Sequence, residues 1–566
     1  MRSRLWIFPT IDHARQQGLS QALTISPVTA SVLLARGVTS QDEASRWLGA
    51  DAVSPHDPFL LPDMEAVIDR LERARRDGEL VCFYGDYDVD GMSATSLYVT
   101  YFTACGLRTC VYIPHRVEEG YGLNEAAVRR LHAQGVTVLV TSDCGTTSHR
   151  EVAVANALGM DVIVTDHHQT DQAMPPALGI VNPHRRDACY PFPALCSGAL
   201  AYKVSQAYSM KYGAAPEVLA QQDDLVALST VADVVPLVDE NRLFVRRGLS
   251  HINKGTRPGI RALKEVAGLT RPCNTGVLAF KLVPRLNAAG RLDHARLGVD
   301  LLTTASQDHA RLLAERLDAL NRERQQIEEG VVADLTAGLS TAADMPAIVE
   351  WSRQWHLGVV GIVAARLVER YHRPAVVLTV NDKGIGKGSV RSVPGFDAYE
   401  ALAACRDLLD GFGGHPGAAG LTIREERLPA FRERFQAVAG RHEAVRQVPT
   451  LRLDAEVQLA DVTLKLIREL DALNPFGAGN PEPLLAVRNL KVLDARVVGE
   501  NHLKLIVRQG HSLPFSSIGF RMGSLAERGI PTHQPVDLAF VPEVNRWGGL
   551  EQVQLRIRDL RPTPAS

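Results

Sequence analysis

Leu80-Val-Cys-Phe-Tyr-Gly-Asp-Tyr-Asp-Val-Asp-Gly91 is an apolar run that breaks into three carboxylates at alternate positions, Asp86, Asp88 and Asp90. Its first five residues have the apolar, partly aromatic make-up of a buried strand, and the glycine opens a loop. On such a segment Asp88 and Asp90 can face one site while Val89 packs away. Carboxylates this crowded repel one another unless cations lie between them. A calcium-binding loop or a solvated acidic turn would leave the same local trace, so the stretch is read with its neighbours.

Outward from it, strands and helices alternate from about Met64 to Asp233. Strand-like runs at Val81–Tyr84, Thr109–Ile113, Thr137–Thr141, Asp161–Thr165 and Gly179–Val181 are separated by segments with apolar residues at helical spacing, such as Met92–Cys105, Asn124–Gln134 and Arg150–Leu158. That alternation predicts a parallel sheet covered on both faces, with ligands collecting outside the carboxyl ends of the strands. Three runs end there in reactive groups: Asp86, Asp88 and Asp90, then Asp143 in Val140-Thr-Ser-Asp-Cys-Gly145, then Thr165-Asp-His-His168. Asp143 could merely cap the following helix, and one histidine on an apolar segment is usually a satisfied core group. An adjacent pair after aspartate can instead place one imidazole on a metal and the other on substrate, with Asp166 orienting an imidazole. Asp88, Asp90, Asp143, His167 and Asp233 together describe a two-metal hydrolase, in which divalent ions about 3.5–4 Å apart clamp the attacking and leaving oxygens of a phosphoryl displacement.

At 566 residues the chain exceeds one core, and a prior of about 150 residues per domain gives three or four. The expected division is an N-terminal segment over 1–50, the metal-bearing α/β domain over 51–306, a connecting helix over 307–338, a second, smaller α/β domain over 339–445, and a β-barrel over 446–566. Gln307 to about Ala337 carries charges at i,i+4 spacing with no proline, which predicts the long helix. Thr450–Leu560 reads as short strands with one helix near Val462–Leu473, the pattern of an oligonucleotide-binding barrel. Residues are 45% hydrophobic and 22% charged, with no apolar run long enough to span a bilayer. The N-terminus lacks the pattern of a signal peptide, so a cytoplasmic protein is expected. Eight cysteines without a C-x-x-C pair disfavour a zinc ribbon or disulfide framework and are expected to be reduced and mostly buried. A net charge of −2 leaves room for a basic groove offset by an acidic surface elsewhere.

GDYDVDG, SDCG, DHH and Val231-Ala-Asp-Val-Val-Pro236 stand in the order of the four motifs of the DHH phosphoesterase superfamily. Within it the chain resembles the RecJ single-strand-specific exonucleases over nearly its whole length. Pro114-His-Arg-Val-Glu-Glu-Gly-Tyr-Gly122, Pro284-Arg-Leu-Asn-Ala-Ala-Gly-Arg291, Trp355-His-Leu-Gly-Val-Val-Gly361, Gly413-Gly-His415, Pro475-Phe-Gly-Ala-Gly-Asn-Pro481 and Asn545-Arg-Trp-Gly-Gly549 carry it further. The resemblance implies a DHH catalytic domain, a DHHA1 substrate-binding domain and an OB-fold barrel. It implies that Asp88, Asp143, His167 and Asp233 hold one ion, that Asp90 shares Asp143 at a second, and that Asp86 stands outside. His168 would contact the scissile phosphate, and the ions would be Mn²⁺ or Mg²⁺.

Around that centre, the planar guanidiniums of Arg285 and Arg291, flanking Asn287, suit bidentate phosphate recognition, although each could equally be a structural ion pair. Gly413 and Gly414 would let backbone N–H groups approach a phosphate, with His415 adding a hydrogen bond; a plain tight turn is the common meaning of Gly-Gly. Ser389, Arg391 and Arg116 match the segments that bind a 5′-terminal phosphate in RecJ proteins, and His356 would support that site or its own turn. In the barrel, aromatics are sparse (Phe515, Phe520, Phe540, Trp547), so Lys491, Arg496, Lys504 and Arg508 would make the phosphate contacts, unless they are simply its solvated face. Leu195-Cys-Ser-Gly-Ala199 departs from the glycine-rich form of this segment and is expected not to touch chemistry.

The implied activity is 5′-to-3′ degradation of single-stranded DNA to 5′-mononucleotides by a monomer, in recombination and repair, with a single-strand-binding protein and a helicase as possible suppliers of substrate. The alternatives are a DHH phosphoesterase for short RNA, cyclic dinucleotides or pyrophosphate, which the barrel disfavours, and a non-catalytic DNA-binding scaffold, which the complete ligand set disfavours.

Overall fold

Five parallel strands, Arg108–Tyr112, Leu80–Gly85, Val136–Ser142, Asp161–Thr165 and Gly179–Val181 in spatial order, make the sheet that the alternation predicts. The computed structural model describes residues 4–49, 54–170, 173–338, 345–527, 534–547 and 549–564. The chain divides into two units, Pro55–Gln447, and Met1–Ser54 together with Val448–Ser566.

In the first unit the strands are apolar on both faces because helices cover both. Val81, Phe83, Val138 and Val140 join one core cluster, while Cys82, Tyr84, Leu139 and Val162 join another under helices Glu125–Ala133 and His149–Ala157. Register then fixes function: Gly85 faces Ser142, and Ser142 faces Thr165. The next residue of each strand, Asp86, Asp143 and Asp166, therefore leaves the sheet at one level. Helix Gln307–Gly338, 32 residues long, spans roughly 48 Å at 1.5 Å per residue. Beyond it a five-stranded sheet, in the order Leu409–His415, Ala418–Arg424, Ile385–Arg391, Ala375–Val380 and Ile348–Ser352, is antiparallel except for its last pair. Helices Leu357–Tyr371 and Leu428–Arg441 bury their apolar stripes against it.

The second unit is a closed barrel. Strand Leu485–Val498 pairs with His502–Arg508 on one side and with Val536–Trp547 on the other, and Phe515–Gly519 and Leu550–Pro562 complete the ring. His502–Arg508 alternates in burial residue by residue, with Leu503, Leu505 and Val507 inside. N-terminal helices His13–Leu23, Pro27–Ala35 and Gln41–Leu48 share this barrel's core through Leu19, Leu33 and Ala44. Ser26 N–H and the Thr29 hydroxyl each donate to Glu469 at 2.8 Å. Among the described residues no single helix is long and apolar enough to cross a membrane.

Candidate active site on the sheet rim

Asp88 caps helix Val89–Ala104, accepting from the N–H groups of Asp90 (2.9 Å) and Gly91 (3.2 Å). Gly91 is required there, because a Cβ would sit 2.6 Å from the backbone of Asp86. Asp143 has φ +66°, a left-handed conformation that carbonyl-bearing residues tolerate at some cost and that recurs at functional turns. Val234, φ +60°, marks a second strained turn directly after Asp233, which ends helix Asp223–Ala232.

His167 ties these elements together. Its Nε2 lies 3.1 Å from Asp143 Oδ1 and 3.5 Å from Asp90 Oδ2, and its Nδ1 lies 3.6 Å from Asp233 Oδ2. Ligand atoms within 4.8 Å of one another form the groups Asp86–Asp88–Asp143, Asp90–His167–Asp233 and Asp143–Asp166–His167–His168. Asp86 thus stands with Asp88 and Asp143, a different grouping from the one implied by the resemblance. Burial and the charges of Asp90, Asp88, Asp86 and Asp233 push the Asp143 carboxyl far above its usual range. Burial, Asp90 and Asp88 raise Asp233 to about 8. Asp86 is raised by burial and by Asp88, and its Oδ1 is buried with no hydrogen-bond partner among the described residues. Buried oxygens that repel one another, with one imidazole among them, fit hard divalent cations such as Mn²⁺ and Mg²⁺.

Asp166 is held differently. It accepts from the N–H groups of His167 (2.8 Å), His168 (3.2 Å) and Thr146 (3.1 Å), and from His168 Nδ1 (2.7 Å). Burial opposes its charge, but these bonds and both imidazoles hold its carboxyl well below the ordinary value. Burial likewise opposes a charged His168, yet Asp166 raises it to about 9.

The Leu195–Ala199 segment, expected not to touch chemistry, reaches the rim. The N–H groups of Ser197 and Gly198, first in helix Ser197–Tyr212, donate to Asp90 at 2.8 and 3.0 Å, and Ser197 Oγ donates to Asp143 at 3.2 Å. The Leu195–Ala199 segment therefore positions two of the clustered carboxylates, because a helix N-terminus presents unpaired N–H groups that a carboxylate satisfies. Ser229 donates to Asp90 as well. Tyr121, also missed, donates to the Asp143 carbonyl at 2.9 Å and lies 3.4 Å from His168 Nδ1. Its only signal was its place in the Pro114–Gly122 stretch.

A second cluster has the opposite sign. Arg116 lies over the Tyr87 ring at 3.8 Å and donates to the Gly290 carbonyl at 2.9 Å; Arg291 donates to the Gly358 carbonyl at 2.9 Å. Arg391 donates to Ser389 Oγ at 2.5 Å, beside Gly361. Burial and the charges of Arg116, Arg324 and Arg391 push the Arg291 guanidinium below its ordinary range. Among the described residues none of Arg116, Arg291 and Arg391 forms an ion pair. His415 is lowered by burial and then by Arg391 and His168, so it lies within electrostatic reach of both. Gly414 (φ +141°) could not carry a Cβ, which would meet the Ala418 carbonyl at 2.5 Å, whereas Gly413 has open space. Asn287 accepts the Val89 N–H at 3.1 Å and so braces the acidic loop. Arg285 is turned to Asp318 at 2.8 Å. His356 caps helix Leu357–Tyr371 through Nδ1.

On the barrel, Lys491 faces Arg508 and Arg496 faces Lys504 across neighbouring strands. Phe540 is core, Phe515 is half-buried and Phe520 is exposed; the side chain of Trp547 lies outside the described residues.

Family models agree with this architecture: the DHH family N-terminal domain matches residues 80–230, the DHHA1 domain 344–441 and the RecJ OB domain 453–559. The single-stranded-DNA-specific exonuclease RecJ of Dickeya dadantii is 38% identical over 550 residues, covering 93% of this chain and 94% of its own. The crystal structure of RecJ from Thermus thermophilus in complex with Mn²⁺ superposes with a TM-score of 0.86 at 31% identity, over 100% of this chain and 81% of that one. The Mg²⁺ complex of the same protein gives 0.79 at 29%, over 99% and 79%. With one relative matched at this identity over more than nine-tenths of both chains, and with all three domain types in the expected order, the chain belongs to the RecJ family.

Proposed function

We propose that this chain is a single-strand-specific 5′-to-3′ DNA exonuclease that releases 5′-mononucleotides and serves recombination and repair. The observation that carries the reading is the pairing of two unbalanced clusters within one unit, carboxylates on the sheet rim and arginines beside them. Asp86, Asp88 and Asp143 would hold one divalent ion, and Asp90, His167 and Asp233 the other. Bound Mn²⁺ or Mg²⁺ supplies an activated nucleophile and neutralises charge on the phosphoryl group.

The protein's own residues set the geometry. Ser197, Gly198 and Ser229 fix Asp90, and Ser197 also fixes Asp143. Asp166 orients His168, whose free edge then donates to the scissile phosphate. Arg116, Arg291, Ser389 and Arg391 receive the 5′-terminal phosphate, and His415, with the Gly413-Gly414 backbone, completes that wall. A pocket for the chain end placed beside the hydrolytic centre sets the cut one nucleotide in and gives the enzyme its polarity. Arg285 and His356 support from behind, by anchoring helices.

Residues 51–306 would act as the catalytic domain, 307–338 as the connector and 339–445 as the substrate-binding domain. Residues 446–566, with 1–50 leaning on them, would bind single-stranded DNA through the Lys491, Arg496, Lys504 and Arg508 face. The protein would act in the cytoplasm as a monomer supplied by a single-strand-binding protein and a helicase.

The test is digestion of single-stranded DNA labelled at either end, with Mn²⁺ or with chelator, against Asp143→Ala. Early, metal-dependent release of the 5′ label as mononucleotide supports the reading. Hydrolysis of short RNA or cyclic dinucleotides alone would replace it.

A further inference from the structure

Cys82 and Cys110 are Cα partners on the neighbouring parallel strands Leu80–Gly85 and Arg108–Tyr112. Both belong to the apolar layer that contains Leu123, Val128 and Leu131, so their side chains leave the sheet on the same face. The next rung on that face is Tyr84 with Tyr112, again register partners, whose rings stack at 5.1 Å and 17°. Partners on this face are thus in contact. Cys82 is fully buried, whereas Cys110 is only half-buried because its strand is the sheet edge. The neighbouring Cys82 thiol lowers the Cys110 thiol against the effect of burial, and the charge of Arg296, which donates to the adjacent Val111 carbonyl at 3.1 Å, lowers it further. A reachable thiol beside a cation and a second thiol is one whose oxidation ends in a disulfide.

We propose that Cys82 and Cys110 are a peroxide-sensitive thiol pair that closes reversibly into a disulfide and, by doing so, slows hydrolysis through the loop carrying Arg116. The Cys110 thiolate attacks one peroxide oxygen; the S–O bond forms, the O–O bond breaks and water leaves after protonation. The Cys82 sulfur then attacks the Cys110 sulfur, the S–S bond forms, the S–O bond breaks, and the Cys82 proton departs with the second water. Hydrogen peroxide is reduced to two waters and two thiols are oxidised. Closure draws the sulfurs to about 2.05 Å, nearer than any thiol contact. The rung above must respond, and that rung fastens the loop. Tyr84 donates to the Gly122 carbonyl at 2.9 Å, and Tyr112 donates to Glu119 at 2.5 Å, which also accepts the His115 N–H at 2.7 Å. In a compartment that keeps thiols reduced, such a bond is transient and signals oxidant.

The cross-link itself is independent of the nuclease reading; only its effect on rate rests on that reading. The test treats the full chain with hydrogen peroxide, alkylates it and maps its peptides, using a Cys189→Ser background to remove the exposed thiol. The expected product joins the Cys82 and Cys110 peptides with the loss of two hydrogens and is reopened by dithiothreitol. The rate on single-stranded DNA with Mn²⁺ falls severalfold and recovers on reduction, while Cys110→Ser, an edge-strand change, keeps its rate through the same treatment. Alkylation of both thiols after peroxide, or oxidation of Cys110 without joining Cys82, overturns the pair. A joined pair with an unchanged rate, or an equal loss in Cys110→Ser, overturns the link to the loop.

Discussion

The acidic rim and the arginine cluster are mirror images in charge but not in construction. The rim gathers its carboxylates from three strand ends and two helix termini, and burial leaves them repelling one another. The arginines keep their charge by donating to backbone carbonyls, Arg116 to Gly290 and Arg291 to Gly358, rather than to acids. Each cluster has polar partners that hold its shape without cancelling its charge. Buried carboxylates that repel one another favour a cation among them, and guanidiniums without acidic partners suit an anion.

The largest expected effect strikes the rim. Asp143→Ala removes the carboxylate shared by two of the clustered groups and should lower kcat on single-stranded DNA by roughly 10³-fold or more; mononucleotide release near the wild-type rate would remove Asp143 from the chemistry. Arg391→Ala tests the other side. Losing a charge-assisted phosphate contact, about 1.5–3 kcal/mol, should cost about 10- to 100-fold in kcat/KM on 5′-phosphorylated DNA. The same variant should show a much smaller deficit on 5′-hydroxyl ends, and an equal deficit on both would mean that Arg391 does not contact the terminal phosphate.

Ser197→Ala asks whether the bracing of the rim matters. Its Oγ touches Asp143, and loss of such an outer partner typically weakens metal affinity by about 10-fold or more. A titration with Mn²⁺ should therefore shift to higher concentration, with much of the rate recovered at saturation. An unshifted titration would return the segment to a purely structural role.

The smallest effect is on stability. Asp143 and Asp233 have folded-state pKa values above their unfolded ones, so the folded state binds the extra protons. Their contribution is full below the unfolded value near 4 and is lost as pH rises through the folded value, about 8 for Asp233. In chelator, Tm should fall as pH rises across this window, by on the order of 5 °C, and Mn²⁺ should flatten the slope. A slope that Mn²⁺ leaves unchanged would mean that the charge lies elsewhere.

Much of this was legible along the chain because it is local. The Val81–Tyr84, Asp161–Thr165 and Gly179–Val181 runs form the strands expected of them, and Gln307–Gly338 is the expected helix. The parallel sheet and the barrel follow from the alternation of elements and from short strands, and Asp86, Asp88, Asp90, Asp143 and Asp166-His167-His168 follow the strand ends as read, while Asp233 reaches them from the end of a helix. The misreading of Leu195–Ala199 has a physical cause. Its side chains say little, and what reaches Asp90 is backbone N–H, which every non-proline residue carries.

By itself the sequence determined which elements form and which residue types stand at their ends, since periodicity and turn chemistry act over a few neighbours. Tertiary packing set which arginine joins the basic cluster, with Arg291 entering it and Arg285 drawn off to Asp318, six residues apart on one helix stretch. It alone grouped Asp86 with Asp143, set Ser197 on Asp90, and seated helices from the first fifty residues in a barrel whose contacts lie some 440 residues away, as in the bond from Thr29 to Glu469. Those pairings depend on register and on packing between distant segments, where a rotation of one helix turn or a slip of one strand residue changes the partner without changing any local pattern.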